Sequence, residues 1–139
     1  MKLRILVADD NEAFRNGLKR LLNAQADCQV VCEAANGREA VEQAVLNQPD
    51  VAILDYSMPE LDGLSGASQI LQALPRVEIL ILTQHDAPYT VQRALNSGVR
   101  GFVVKSDASQ DLLAALAALR QHKVFLSSTI AHALSEKLV

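Results

Sequence analysis

The stretch VAILDYSMPELDG, residues 51–63, joins a short apolar run to a carboxylate and a turn. The run Val51–Leu54 is apolar at every position, which is typical of a strand that is buried on both faces of a parallel sheet. Asp55 ends the run, and the pairs Met58-Pro59 and Asp62-Gly63 predict that the chain turns at once. This order of strand, acid and turn predicts a functional carboxylate at the end of a buried strand.

A second apolar run, Leu3–Ala8, also ends in carboxylates, Asp9 and Asp10. If both strands end at one edge of a sheet, these two acids and Asp55 form a single cluster. At roughly 4 Å and an effective dielectric of 20, each pair of like charges costs about 4 kcal/mol before solvent and ions respond. A cation relieves such repulsion, and a set of hard oxygen ligands favours Mg²⁺. The sequence therefore predicts a magnesium site at these acids.

Short apolar runs alternate with segments of helical periodicity along the chain. Five such repeats with short connections predict one α/β domain, in which helices cover both faces of a doubly wound, five-stranded parallel sheet. Ligands of open sheets of this kind bind outside the carboxyl ends of the strands. The predicted strands are Leu3–Ala8, Cys28–Ala35, Val51–Leu54, Val77–Leu82 and Gly101–Val104, and the predicted helices contain residues 14–22, 40–45, 64–74, 91–95 and 108–120.

The last part of the chain follows the fifth predicted helix. Ile130, Leu134 and Leu138 are spaced four apart, with Ser127 or Ser128 as a possible N-cap. This pattern predicts a sixth helix or the start of a connector. We therefore expect one domain over residues 1–122 and a C-terminal helix or connector over residues 123–139.

Composition narrows the class of protein. The chain has 139 residues and a net charge of −3, so no basic surface indicates direct nucleic-acid binding. Cys28 and Cys32 fall in one predicted strand, where residues four apart lie about 13 Å apart, which is too far for a disulfide. Reduced thiols suit a reducing compartment. We find no signal peptide and no apolar stretch long enough to span a membrane, and we expect a cytoplasmic protein.

Four of the five predicted strands end at an ionisable or hydroxyl residue: Asp9-Asp10, Asp55, Thr83 and Lys105. Together these groups suit phosphoryl transfer to a carboxylate, with Asp55 as the nucleophile that forms an aspartyl phosphate. Asp10 and Asp55, with Asp9 partly through water, would hold Mg²⁺. Lys105 would add a positive charge beside the phosphoryl oxygens, and the Thr83 hydroxyl would donate a hydrogen bond to one of them.

Four stretches resemble the receiver domain of two-component response regulators: ILVADDNEAF, VAILDYSMPELDG, LILTQHD and SGVRGFVVKSD. The resemblance covers roughly residues 2–122 and implies a sheet of the flavodoxin/CheY type, with strand order 2-1-3-4-5. By position, it implies that Asp55 is the phosphoacceptor and that Asp9 and Asp10 are the acidic metal pair. It also implies four further roles: the backbone carbonyl of Ser57 as a metal ligand, Thr83 as the switch hydroxyl, Lys105 as the phosphate-binding lysine, and Phe102 as the switch aromatic.

The function that this resemblance implies is a signalling switch controlled by phosphorylation. A sensor histidine kinase would supply the phosphoryl group to Asp55 with Mg²⁺ bound, and Thr83 and Phe102 would move in response. The surface formed by the fourth helix, fifth strand and fifth helix would then change shape, as a population shift between two packings. We expect a homodimer in the phosphorylated state, and a protein that supports its own phosphotransfer and slow dephosphorylation without being a turnover enzyme.

The subfamily is indicated by LTQHD, GFVVKSDAS and the closing VFLSSTIAHAL, which resemble receivers of the NarL/FixJ/LuxR type. Those receivers usually continue into a helix-turn-helix domain, so the resemblance implies transcription regulation and DNA binding through a C-terminal domain that this chain lacks. Two explanations stay open. The chain is either an isolated receiver from a longer regulator or a stand-alone regulator that acts as a relay.

Three positions depart from the usual receiver pattern or add to it. Ser106 follows Lys105 where many receivers have proline, and we still expect a cis peptide bond there, although it costs about 2.5–4 kcal/mol without proline. Phe102 lacks the hydroxyl of a tyrosine and can only fill space. His85 follows Thr83 closely and would influence how water reaches the phosphoryl group, or would be an exposed loop residue.

Rival interpretations have their own sequence signals. Asp9 or Asp10 alone would be an ordinary helix N-cap. A phosphohydrolase with an aspartyl intermediate usually has a second acid two residues after the nucleophile, where this chain has Ser57. An interaction module that has lost phosphorylation would not need the complete acidic set. The face with Arg15, Lys19 and Arg20 is interpreted as a solvated stripe on the first helix.

Overall fold

The computed structural model describes residues 2–84 and 88–137, with no description of the side chains of residues 136 and 137. Within these described residues, six strands and six helices alternate, and a 3₁₀ turn at Lys105–Asp107 precedes the fifth helix. The strands are β1 Leu3–Ala8, β2 Cys28–Ala34, β3 Val51–Asp55, β4 Glu78–Thr83, β5 Gly101–Val104 and β6 Phe125–Leu126. The helices are α1 Glu12–Asn23, α2 Gly37–Asn47, α3 Gly63–Ala73, α4 Pro88–Asn96, α5 Ala108–Arg120 and α6 Ser128–Lys137.

All strand pairs of the sheet are parallel, in the order β2-β1-β3-β4-β5-β6. The predicted fold class and the order of the first five strands are confirmed. The sixth strand was not predicted, because two residues carry no periodicity that sequence analysis can detect. Strands β1 and β3 lie side by side in the middle of the sheet, so the residues that follow them meet at one edge.

Hydrophobic clusters cover both faces of the sheet. Alternate residues of β4 point to opposite faces, with Leu80 and Leu82 in one cluster and Ile79 and Ile81 in the other. Helices α1 and α5 pack on the face with Leu80, while α2, α3, α4 and α6 supply side chains to the face with Ile79. This two-sided burial explains why the strands are continuously apolar, as parallel sheets require.

The C-terminal tail is part of this fold. The amide of Phe125 donates to the carbonyl of Arg100 at 2.8 Å, and that of Ser127 donates to the carbonyl of Phe102 at 3.0 Å. The Ser127 hydroxyl accepts from the Val104 amide at 3.3 Å, and its carbonyl accepts the first hydrogen bond of α6. Ile130 belongs to the hydrophobic cluster that contains Phe102. The predicted sixth helix is therefore present, and it is attached to the edge of the sheet through β6.

Two smaller expectations concern the cysteines and membrane insertion. Cys28 and Cys32 both lie in β2 and are free thiols, as predicted. Within residues 2–84 and 88–137, none of the helices combines the length and apolar character that a membrane span requires.

Replacement of Ile130 by alanine tests whether α6 is an integral part of the domain. The side chain of Ile130 is 0% exposed, so the cavity left by its removal is expected to lower the free energy of unfolding by about 2–4 kcal/mol. Urea denaturation measures this change. Leu46→Ala, at a position on α2 that is 77% exposed, is the control and is expected to shift stability by less than about 0.5 kcal/mol. Equal effects of the two substitutions would show that α6 is not packed in solution.

Candidate functional site

Three carboxylates meet beyond the carboxyl ends of β1 and β3. One oxygen each from Asp9, Asp10 and Asp55 lies within 4.8 Å of the others. The register explains this approach, because Ala8 pairs with Leu54 and the next residue of each strand is an acid. Asp9 is 0% exposed and Asp55 is 4% exposed, whereas Asp10 is exposed. The cluster therefore consists of two buried acids and one acid that faces solvent.

The first turn of α1 fixes the position of Asp9. The Asn11 amide donates to Asp9 Oδ1 at 2.8 Å, and the Asn11 side chain caps the helix by accepting from the Phe14 amide at 3.0 Å. Arg15 donates from Nη1 to the Asp9 carbonyl at 2.7 Å. Since Asn11 is the N-cap, the rival interpretation of Asp9 or Asp10 as an ordinary cap is wrong. Neither carboxylate is therefore used to cap α1.

Arg15 is held in turn by β2. Its Nε donates to Glu33 at 2.9 Å, and Lys19 donates to the other oxygen of Glu33 at 2.6 Å. The interpretation of Arg15 and Lys19 as a solvated stripe is therefore wrong for these two side chains, although Arg20 is exposed. No sequence pattern predicts this pairing, because Glu33 lies in β2 and its two partners lie in α1.

A glycine lets α3 begin directly against the backbone at the end of β3. The Gly63 amide donates to the Tyr56 carbonyl at 2.9 Å. A Cβ atom at Gly63 would lie 2.3 Å from the carbonyl oxygen of Asp55, so no other residue fits without a shift of backbone. Asp62 caps α3 by accepting from the Ser65 amide at 2.8 Å. The pair Asp62-Gly63, predicted only as a turn, thus helps to fix the backbone at Asp55.

Lys105 reaches this cluster from the end of β5. Its ammonium lies 2.8 Å from Asp9 Oδ2 and 3.4 Å from Asp55 Oδ1, and its side chain is 13% exposed. The ammonium also lies 4.4 Å from the centroid of the Phe14 ring. The Lys105–Ser106 peptide bond is trans, so the predicted cis bond is wrong. A trans bond is sufficient, because the 3₁₀ turn that begins at Lys105 still allows the side chain to reach both acids.

Burial and the charges of the cluster shift the pKa of Asp55. Burial and the neighbouring charge of Asp9 raise the pKa of Asp55 from 3.8 to about 6, although the Lys105 ammonium opposes this rise. Burial by itself lowers the pKa of Lys105, but its pairing with Asp9 and Asp55 outweighs burial and leaves that pKa raised. Asp55 therefore loses its proton close to neutral pH, while Lys105 stays charged.

Residues 5–117 match the family model of the response regulator receiver domain. The chain belongs to this family. It is 34% identical over 138 residues to the oxygen regulatory protein NreC of Staphylococcus epidermidis, across 99% of this chain and 63% of NreC. This receiver domain therefore spans less than two thirds of the length of that relative.

Solved structures support the same assignment. A LuxR-family response regulator from Aurantimonas is 29% identical, with a TM-score of 0.94 and coverage of 99% of both chains. The receiver domain of a putative NarL from Mycobacterium tuberculosis is 35% identical, with a TM-score of 0.82 over 88% of this chain and 98% of that one. The narrower resemblance to NarL/LuxR-type regulators is thereby confirmed.

The other predicted site residues of the receiver domain lie near the same edge of the sheet. Thr83 ends β4 and is buried, one residue after the strand partner of Asp55, Leu82. Phe102 lies in the middle of β5, buried in the cluster beneath α4 and α6. Ser57 is exposed in the segment between β3 and α3, and its carbonyl stays a predicted metal ligand. His85 lies outside the described residues.

The donor set fits a hard divalent cation. Three carboxylates present oxygens that lie within 4.8 Å of one another, and their combined negative charge exceeds what one ammonium can neutralise. Asp9 Oδ2 is buried and lacks a hydrogen bond of good geometry with the described residues, so its contact with Lys105 is ionic rather than directional. An incompletely satisfied oxygen of this kind, beside the exposed Asp10, is a suitable ligand for Mg²⁺.

Removal of the Asp55 charge tests the electrostatics of the metal-free protein. The folded protein keeps the Asp55 proton up to about pH 6, whereas the unfolded chain releases it near pH 3.8. The stabilisation that this proton gives is therefore lost as the pH rises from about 3.8 to about 6. We expect the wild type to lose about 2 kcal/mol relative to Asp55→Asn between about pH 4 and pH 7.5. Denaturation in EDTA measures the difference. Glu42→Gln, which removes an exposed acid on α2, is the control, and its stability is expected to depend on pH as that of the wild type does. If the stability of Asp55→Asn also followed the wild type across this pH range, the raised pKa of Asp55 would be contradicted.

Mg²⁺ binding is expected to stabilise the folded domain. At about 100 times its Kd, the ion would raise the free energy of unfolding by about 2.7 kcal/mol. Asp10→Asn removes an exposed ligand without opening the core, and is expected to weaken Mg²⁺ binding at least about tenfold. Thermal unfolding across a Mg²⁺ titration measures both effects, with Glu42→Gln as the control. The same Mg²⁺ dependence in wild type and Asp10→Asn would exclude Asp10 as a ligand.

Proposed function

We propose that this receiver domain accepts a phosphoryl group on Asp55 from the phosphohistidine of a sensor histidine kinase, and that the modification switches an output. The observation that carries the proposal is the convergence of three carboxylates within 4.8 Å, with the Lys105 ammonium 3.4 Å from Asp55. An acid cluster alone would suit a structural cation. A cluster with a lysine directed at one of its buried acids suits an electrophile that carries negative oxygens.

The transfer step follows from the state of Asp55. With a pKa of about 6, most Asp55 is ionised at neutral pH and can act as the nucleophile. One of its oxygens forms a bond to phosphorus while the bond from phosphorus to the histidine nitrogen breaks, and the leaving imidazole keeps that electron pair. Asp9, Asp10, Asp55 and the Ser57 carbonyl would hold Mg²⁺, which supplies charge neutralisation at the phosphoryl oxygens. Lys105 contributes a fixed positive charge at the same place.

The response to phosphorylation would pass through Thr83 and Phe102. A phosphoryl group brings roughly −1.5 to −2 charge and three acceptor oxygens, which the Thr83 hydroxyl can approach from the end of β4. Phe102 belongs to the cluster that also holds Val91 of α4 and Ile130 of α6. Repacking of Phe102 would therefore disturb the contacts that hold both helices, so the output surface includes α6 in addition to α4, β5 and α5.

The output is proposed to be transcription control through a C-terminal DNA-binding domain, with a homodimer in the phosphorylated state and a cytoplasmic location. The likeness to LuxR-family regulators and the greater length of NreC support this proposal. A stand-alone regulator or relay is the alternative. A turnover phosphohydrolase has less support, because Ser57 occupies the position where such enzymes have their second acid.

Incubation with acetyl phosphate and Mg²⁺ tests phosphorylation directly. Intact mass is expected to rise by one phosphoryl group, HPO₃, in wild type and in Glu42→Gln but not in Asp55→Asn. EDTA is expected to abolish the increase. No adduct in the wild type would overturn the proposal, and repeated release of phosphate from small phosphoesters would instead support the hydrolase.

The same samples test the output. Amide hydrogen exchange in α6 is expected to rise on phosphorylation of the wild type and to stay constant in Asp55→Asn. Unchanged exchange throughout α4, β5 and α6 in fully phosphorylated protein would exclude the proposed route through Phe102.

A further inference from the structure

The ammonium of Lys105 contacts two acids of the proposed metal site. It lies 2.8 Å from Asp9 Oδ2 and 3.4 Å from Asp55 Oδ1. It also contacts the ring of Phe14, with 4.4 Å between Nζ and the ring centroid. A metal ion and a phosphoryl group would bind at Asp9 and Asp55, whereas the aromatic ring stays available as a partner for Lys105.

Phe14 is held in place by the same turn that holds Asp9. Its amide donates to the Asn11 side chain at 3.0 Å, and the Asn11 amide donates to Asp9 Oδ1 at 2.8 Å. The following residue, Arg15, donates to the Asp9 carbonyl at 2.7 Å. The first turn of α1 therefore fixes the distance between the ring and the acid, and Lys105 lies between them.

We propose that Phe14 is a positioning residue, which holds the Lys105 ammonium beside Asp55 through a cation–π interaction while the acids engage metal and phosphoryl group. This inference rests on the proposed function of Asp55. A lysine has a flexible four-carbon side chain, and a partner that does not change during the reaction limits the positions that its ammonium can take. The face of an aromatic ring attracts an ammonium at this distance, and an aliphatic side chain of similar size does not.

Packing is a competing role for Phe14 and has to be separated from positioning. Phe14 is half-buried and packs against the hydrophobic cluster that α1 and α5 form on the sheet. Phe125 is a matched control, because it is also half-buried, packs against the same cluster and lies in β6, away from the first turn of α1. Phe14→Leu and Phe125→Leu remove the same atoms from one cluster, but only Phe14→Leu removes the aromatic ring that contacts the Lys105 ammonium.

The first measurement uses metal-free protein and needs no phosphorylation. NMR of ¹³C-labelled lysine is expected to show the Lys105 side-chain resonances displaced by the ring current of Phe14. Phe14→Leu is expected to abolish the displacement, while Phe14→Tyr and Phe125→Leu retain it. Lys105→Met assigns the signal. Lys105 resonances that are the same in wild type and Phe14→Leu would overturn the inference.

The second measurement is the rate of phosphorylation by acetyl phosphate at saturating Mg²⁺. Phe14→Leu is expected to lower the rate about three- to tenfold, with rescue by Phe14→Tyr and no loss in Phe125→Leu. In the Lys105→Met background, Phe14→Leu is expected to cause no further loss, because its effect passes through Lys105. An equal loss in that background would show that Phe14 acts by packing and would overturn the inference.

The two measurements distinguish failure of the inference from failure of the proposed function. If the wild type takes no phosphoryl group on Asp55, the proposed function is wrong. The Lys105 resonances still decide whether Phe14 positions the ammonium. If the wild type is phosphorylated but Phe14→Leu and Phe125→Leu are phosphorylated at the same rate, the inference is wrong and the proposed function stands.

Discussion

The structure of the site depends on one electrostatic conflict, between the buried carboxylates of Asp9 and Asp55. Their oxygens lie within 4.8 Å of each other, where two negative charges at an effective dielectric of 20 repel by about 4 kcal/mol. Lys105 contacts both acids and neutralises one charge of the pair. The conflict is therefore only partly relieved, which adds to the effect of burial in raising the pKa of Asp55 and favours any further cation that can reach the exposed Asp10. The same incomplete neutralisation supports the proposed binding of a metal ion and a phosphoryl group.

The topology of the sheet explains why a lysine is used. Asp55 is the last residue of β3 and Lys105 follows β5, with β4 between them, so the two strands lie two strand spacings, or about 10 Å, apart. A short cationic side chain would not cross that gap. The long side chain of Lys105 passes the end of β4, where the residue is Thr83, and it is guided at the far side by Phe14 of α1. Three separate elements therefore determine where one ammonium lies.

Much of this arrangement could be predicted, and the failures have physical reasons. Buried parallel strands are continuous apolar runs, so β1, β3 and the residues at their ends were identifiable, and with them the approach of Asp9, Asp10 and Asp55. The strand β6 has only two residues and carries no pattern. The pairing of Arg15 with Glu33 and the contact of Lys105 with Phe14 depend on side chains from different elements, which no local periodicity encodes. The predicted cis bond at Ser106 was wrong, because the 3₁₀ turn directs Lys105 to the acids without it.

The C-terminal tail contacts the strand that leads to this site through both backbone and core. Strand β5 bears Phe102 in its middle, leads into Lys105 at its end, and pairs with β6 along its free edge. Ser127 binds the backbone of both Phe102 and Val104, and Ile130 is buried in the cluster of Phe102. The proposed side-chain movement at β5 would therefore act on α6 through backbone and core contacts together. Because α6 is the last element of the described chain, any domain that follows it would be displaced by that movement, and no separate contact with the phosphorylated site would be needed.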